Sequence, residues 1–161
     1  KEDLVVMSPD IGGVKRAEQF QRLMASVTGK DTGLAFMEKF RSSGEVWGQQ
    51  VVGDVANKTV VVIDDLVSTG GTLSRSAQAA RSAGAAKVYA VATHGLFTGD
   101  PDKALGEESL FRVAVTNTIP PFRLGQTKIK DKVNVIDAAP LFAEAIKRMY
   151  EGGSVSELMA E

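Results

Sequence analysis

The sequence predicts an α/β fold, a mostly parallel β-sheet flanked by helices. Three observations carry that expectation. Short β-branched runs alternate with segments of helical periodicity along the chain. Residues 60–63, Val-Val-Val-Ile, form a continuous apolar run bounded by turn residues, the pattern of a strand buried on both faces. Strands that alternate with helices favour parallel pairing through right-handed crossovers.

The elements follow in order. Residues 4–7 read as a strand that begins almost at the first residue, as expected of a chain cut from something longer. A helix over residues 14–24 sets Val14, Ala17, Phe20 and Met24 on one face. Two further strands, at 34–37 and 46–52, flank the polar stretch "EKFRSSGE", which reads as a long exposed loop. After the 60–63 strand a helix starts near Thr72, with Leu73, Ala77 and Ala80 inward and Gly84 placed for a left-handed C′ residue. Strands are expected at 87–93, 113–116 and 133–136. A helix opened by Pro140 then presents Phe142, Ala145, Ile146 and Met149 inward and stops at Gly152 and Gly153. The last residues, "SVSELMAE", read as a short amphipathic end. No fixed-period repeat or linker divides the chain, so residues 1–161 are expected to form one domain.

Composition narrows the chemistry. Charged residues make up 24% of the chain, net charge is −1, and aromatics are 6%, so the electrostatic footprint of a nucleic-acid or membrane binder is missing. There is no cysteine and one histidine, His94, which removes thiolate zinc, thiol catalysis and His-pair metal motifs. A metal here would have oxygen ligands, which points to Mg²⁺ or Ca²⁺. No apolar run approaches a membrane span and the first ten residues lack a signal peptide's apolar region, so a cytoplasmic location is expected.

Ligands of such sheets collect at the carboxyl ends of strands. "VVVIDDLVSTGGT" puts Asp64 and Asp65 at one of those ends, followed by Ser68, Thr69, Gly70, Gly71 and Thr72 at a helix start. Adjacent strand residues point to opposite faces, so the two acids cannot both aim at one atom while the strand stays regular. Ionised carboxylates only accept, which suits vicinal sugar hydroxyls or a cation. The glycine run offers free amides and the positive end of a helix to a phosphate. It is not a Walker loop, because GxxxxGK[ST] is absent from the chain. The competing reading is a strand that ends in a solvated acidic turn.

A second loop, Ser8-Pro9-Asp10-Ile11-Gly12-Gly13, runs into the first helix; its bland alternative is an Asp10 helix cap with glycines for the turn. Lys39 and Arg41 read on sequence logic as solvated charges, His94 as structural, and Trp47 and Phe36 as core or interface residues.

Five stretches, "VVMSPDIGGVKRA", "VVVIDDLVSTGGTL", "THGLFTG", "VTNTIP" and "FAEAIKRMYEGGSVSEL", resemble the C-terminal half of the ribose-phosphate pyrophosphokinase (PRPP synthetase) family across essentially the whole chain. The resemblance implies the type I phosphoribosyltransferase fold. It also implies the family reaction, transfer of the β,γ-diphosphoryl group of ATP to ribose 5-phosphate, giving PRPP and AMP with Mg²⁺ for nucleotide biosynthesis. By matching positions, Asp64, Asp65, Ser68, Thr69, Gly70, Gly71 and Thr72 resemble the ribose-5-phosphate loop. Asp10, Ile11, Gly12 and Gly13 resemble the pyrophosphate loop, with Asp10 as the Mg²⁺ contact. Lys39 and Arg41 fall where the family's catalytic loop carries a Lys-x-Arg pair, which replaces the bland reading of both.

The chain departs from the family at Ser68, an aspartate in many members, and at Phe40, often charged. The family's N-terminal half, which supplies ATP-binding loops and a metal-binding histidine, has no counterpart in these residues, so the isolated chain is expected to be incomplete and inactive. Self-association as a dimer or hexamer is also implied. A non-catalytic regulatory module that holds phosphate ligands, or a base-specific phosphoribosyltransferase, are the alternatives.

Overall fold

The structure, a computed structural model, describes residues 3–42 and 45–158, with the backbone alone at 39–42, 45–49 and 126. Its centre is one seven-stranded sheet in the order β3-β2-β1-β4-β5-β6-β7. The strands are β1 (Leu4–Ser8), β2 (Thr32–Ser42), β3 (Glu45–Val52), β4 (Thr59–Val67), β5 (Lys87–Gly95), β6 (Arg112–Thr116) and β7 (Val133–Ile136). Every neighbouring pair is parallel except β2 with β3. The helices are α1 (Val14–Thr28), α2 (Gly71–Ser82), α3 (Pro101–Leu105), α4 (Ala139–Glu151) and α5 (Val155–Leu158).

Alternation along the central strands feeds two apolar layers. Val5, Met7, Val60 and Val62 point to the side covered by Leu73, Ala77 and Ala80 of α2 and by Leu105 and Leu110. Val6 and Ile63 point to the other side, where Ala17, Phe20 and Met24 of α1 meet them. Residues 59–63 are buried without a break, because helices lie against both faces of β4 there. The two crossovers leave β1 and β4 in opposite directions, α1 toward β2 and α2 toward β5, so the sheet has its topological switch point between β1 and β4.

Two expectations are overturned. The stretch "EKFRSSGE" is not a long loop: β2 runs to Ser42 and β3 starts at Glu45, paired antiparallel from Phe36 with Val52 to Ser42 with Glu45, with a register shift at Phe40 and Arg41. A two-stranded ribbon satisfies its backbone by mutual hydrogen bonding and so needs no apolar alternation to persist. Likewise the stripe on α4 does not face inward. Phe142, Ile146 and Met149 are all more than half exposed, and α4 has no buried residue. Periodicity marks which face of a helix is apolar; it does not say what covers that face.

Candidate functional site

The switch point brings two turns together. After β1, Ser8 Oγ donates to the Asp10 carbonyl at 2.7 Å, and the Gly13 amide donates to Asp10 Oδ1 at 2.9 Å, closing a tight turn. A Cβ on Gly13 would come within 2.5 Å of Ser8 Oγ, so a side chain there would displace that hydroxyl from the Asp10 carbonyl. Both readings of Asp10 thus keep a footing: the carboxylate caps the turn with Oδ1, and Oδ2 has no hydrogen-bond partner among the described residues. Ile11 and Gly12 are exposed at the tip.

After β4 the chain curls through Ser68 and Thr69 to Gly70, which has φ +83° and caps α2 without any side-chain hydrogen bond. The first amides of a helix have no partner inside it, so those of Gly71, Thr72 and Leu73 remain for an anion. Residues 66–73 wrap a hollow of about 70 Å³. The 68–72 turn is braced from the segment after β5, where Thr98 donates its amide to the Ser68 carbonyl at 2.9 Å and its hydroxyl lies 3.1 Å from Ser68 Oγ.

Asp64 and Asp65 stand at the mouth of this turn. Asp64 is 17% exposed at its side chain and Asp65 64%. Alternation did not keep them apart, because one guanidinium holds both. Arg16, in the first turn of α1, donates from Nη1 to Asp64 Oδ1 at 3.2 Å and from Nη2 to Asp65 Oδ2 at 3.1 Å. The Asp65 amide donates to the same Asp64 Oδ1 at 2.9 Å. Burial pushes the Asp64 carboxyl above its usual range, reinforced by the charge of Asp65 and opposed by that amide and by Arg16. For Asp65 partial burial acts upward, but hydrogen bonding with Asp64 and the charge of Arg16 outweigh it, so its carboxyl lies below the usual range.

The sequence-derived residues therefore gather, with two exceptions. Lys39 and Arg41 have side chains outside the described residues, as does Trp47. Their backbone is placed by register: Ser8, the last residue of β1, pairs with Phe36, so β2 continues past the β1 terminus on the side where the two turns lie. His94 Nδ1 lies 2.8 Å from Thr118 Oγ1. Among the described residues no group of three or more His, Asp or Glu could hold a metal ion by itself. Sequence reasoning missed Arg16, Thr98 and Arg75, whose Nη2 donates to Thr72 Oγ1 at 3.4 Å. The signal for Arg16 was its place two residues into a helix that follows the carboxyl end of a strand at the switch point.

A family profile described as the phosphoribosyl synthetase-associated domain matches residues 40–160. The chain belongs to that family. The ribose-phosphate pyrophosphokinase of Caldanaerobacter subterraneus subsp. tengcongensis is 41% identical over 98% of this chain and 47% of its own length. Ribose-phosphate pyrophosphokinase A of Dictyostelium discoideum is 40% identical over 98% of this chain and 47% of its own. A crystal structure of the phosphoribosylpyrophosphate synthetase from Mycobacterium smegmatis superposes with a TM-score of 0.78 at 37% identity, covering 94% of this chain and 46% of that one. The chain spans about half the length of the curated relatives it matches. The mostly parallel sheet is thus the phosphoribosyl synthetase arrangement.

Proposed function

We propose that residues 1–161 are a phosphoribosyltransferase-like domain that forms the ribose-5-phosphate and diphosphate-handling half of a ribose-phosphate diphosphokinase. The observation that carries this reading is the pairing of two glycine turns with one acid pair at a single switch point. The amides at the start of α2 hold the 5-phosphate, with the Ser68, Thr69 and Thr72 hydroxyls as further donors. Asp64 and Asp65 accept from the ribose hydroxyls, and the 10–13 turn faces the diphosphate.

In the proposed reaction the ribose 1-oxygen forms a bond to the β-phosphorus of ATP. The bond from the β-phosphorus to the α,β-bridging oxygen breaks with its electron pair staying on that oxygen as AMP leaves, and the 1-hydroxyl proton passes to solvent. Such a transfer demands positioning and positive charge more than covalent work. Lys39 and Arg41, on the strand that extends past β1, supply that charge to the phosphoryl oxygens. The all-oxygen donor set and the unengaged Asp10 Oδ2 fit Mg²⁺, held mostly by water and phosphate oxygens, as that ion prefers. Bound there it would neutralise charge on the diphosphate. A cytoplasmic homo-oligomer completes the proposal; no helix among the described residues is long and apolar enough to cross a membrane.

The test is titration of the chain with ribose 5-phosphate in the presence of Mg²⁺, followed by calorimetry. Saturable heat that Asp64→Asn and Asp65→Asn weaken supports the reading; unchanged binding in both variants contradicts it. AMP release from a chain that carries both halves separates the enzyme from a regulatory phosphate-binding module.

A further inference from the structure

Arg16 does more than neutralise two acids. On a regular strand Asp64 and Asp65 point to opposite faces, and two adjacent carboxylates repel. Arg16 meets this from another element: it rises from α1, runs beside Gly13 and reaches across to β4. Its two terminal nitrogens sit in a fixed fork, so holding one oxygen of each acid also fixes the acids relative to each other. Asp64 Oδ1 is pinned further by the Asp65 amide. Oδ2 of Asp64 and Oδ1 of Asp65 take no part in the Arg16 contacts, and the two side chains also hydrogen-bond each other.

We propose that Arg16 is the positioning residue that converts two divergent carboxylates into a matched acceptor pair for vicinal hydroxyls, and so sets a preference for a ribose phosphate over a 2-deoxyribose phosphate. The inference rests on the sugar-phosphate reading above and names what makes that site selective. A sugar lacking one hydroxyl leaves one carboxylate oxygen of the fixed pair without its donor. Once the fork is gone the acids separate, and a ligand gains little from presenting two hydroxyls at once.

The experiment is an NMR titration of the 161-residue chain with ribose 5-phosphate and, separately, 2-deoxyribose 5-phosphate, for wild type, Arg16→Met and Arg16→Lys. Wild type should favour the ribose compound by roughly tenfold or more, the scale of a hydrogen bond to a charged group. Arg16→Met should bring that ratio below about threefold while the 2-deoxy compound binds within about threefold of wild type, since phosphate capture by α2 is untouched. Arg16→Lys keeps the charge without the fork and should fall between the two. A wild-type ratio in either variant overturns the inference, and Arg16→Lys decides if Arg16→Met does not fold. Equal wild-type affinity for both sugars also overturns it while leaving the site standing. A wild type that binds neither sugar phosphate removes the reading on which it rests.

Discussion

Gly70 and Leu105 are in such close contact that a Cβ added to the glycine would lie 2.7 Å from Leu105 Cγ. Leu105 is fully buried, so it cannot swing aside, and φ at Gly70 is +83°. The floor of the 68–72 turn is therefore built on a glycine for two independent reasons.

Gly70→Ala should accordingly destabilise the chain by about 2 kcal/mol or more, from left-handed backbone strain plus the clash. It should also weaken ribose 5-phosphate binding by roughly tenfold or more, because the α2 amides would move off the phosphate. Urea denaturation and calorimetry check the two effects. An unchanged midpoint would show that the turn tolerates a side chain.

The two apolar faces give a contrast in stability. Met7 is fully buried between β1 and the α2 layer, whereas Ile146 is 66% exposed on α4. Met7→Ala should cost about 2–5 kcal/mol, and Ile146→Ala should stay within about 0.5 kcal/mol of wild type. Comparable losses in urea denaturation would mean that α4 packs inward in solution, as its periodicity alone suggests.

That contrast marks how far the sequence could be read. The 60–63 strand, the α2 face of Leu73, Ala77 and Ala80, and Gly84 with φ +90° were legible because burial and chirality leave local signatures. Strands β2 and β3 were legible at 34–37 and 46–52, but their continuation through "EKFRSSGE" was not, since there the two strands pair with each other beyond the end of β1. Short α3 carries too few turns to show a period. At the site, acids and glycines announced themselves by type and order. The Arg16 bridge did not, because its two partners lie 48 and 49 residues away and only the β1–β4 adjacency unites them.

Titration offers a further check. Asp64 has a folded-state pKa above its unfolded one, so the folded chain binds more protons between those values. Its contribution to stability is full below the unfolded pKa and is lost as pH rises through the folded one. Asp65 runs the other way, with stability present above its unfolded pKa and lost as pH falls through the folded one. Asp64→Asn should then melt at a higher temperature than wild type near neutral pH, with the advantage shrinking on acidification, while sugar binding weakens. A variant that melts lower than wild type at neutral pH and matches it in acid would reverse the assigned direction.

The proposed reaction uses Lys39 in the transition state rather than in ribose binding. In a chain that carries both halves, Lys39→Ala should lower kcat by about 10²-fold or more with ribose 5-phosphate affinity within about threefold of wild type. Steady-state kinetics alongside equilibrium binding separates these quantities. An equal loss in both would place Lys39 on the substrate instead.

The most direct measurement is a crystal structure of the chain with ribose 5-phosphate. The account predicts the phosphate against the Gly71 and Thr72 amides and the ring hydroxyls on Asp64 and Asp65, with Arg16 still bridging the acids. A sugar phosphate bound in the groove between α3 and the 128–132 turn, with the β4 terminus empty, would contradict it.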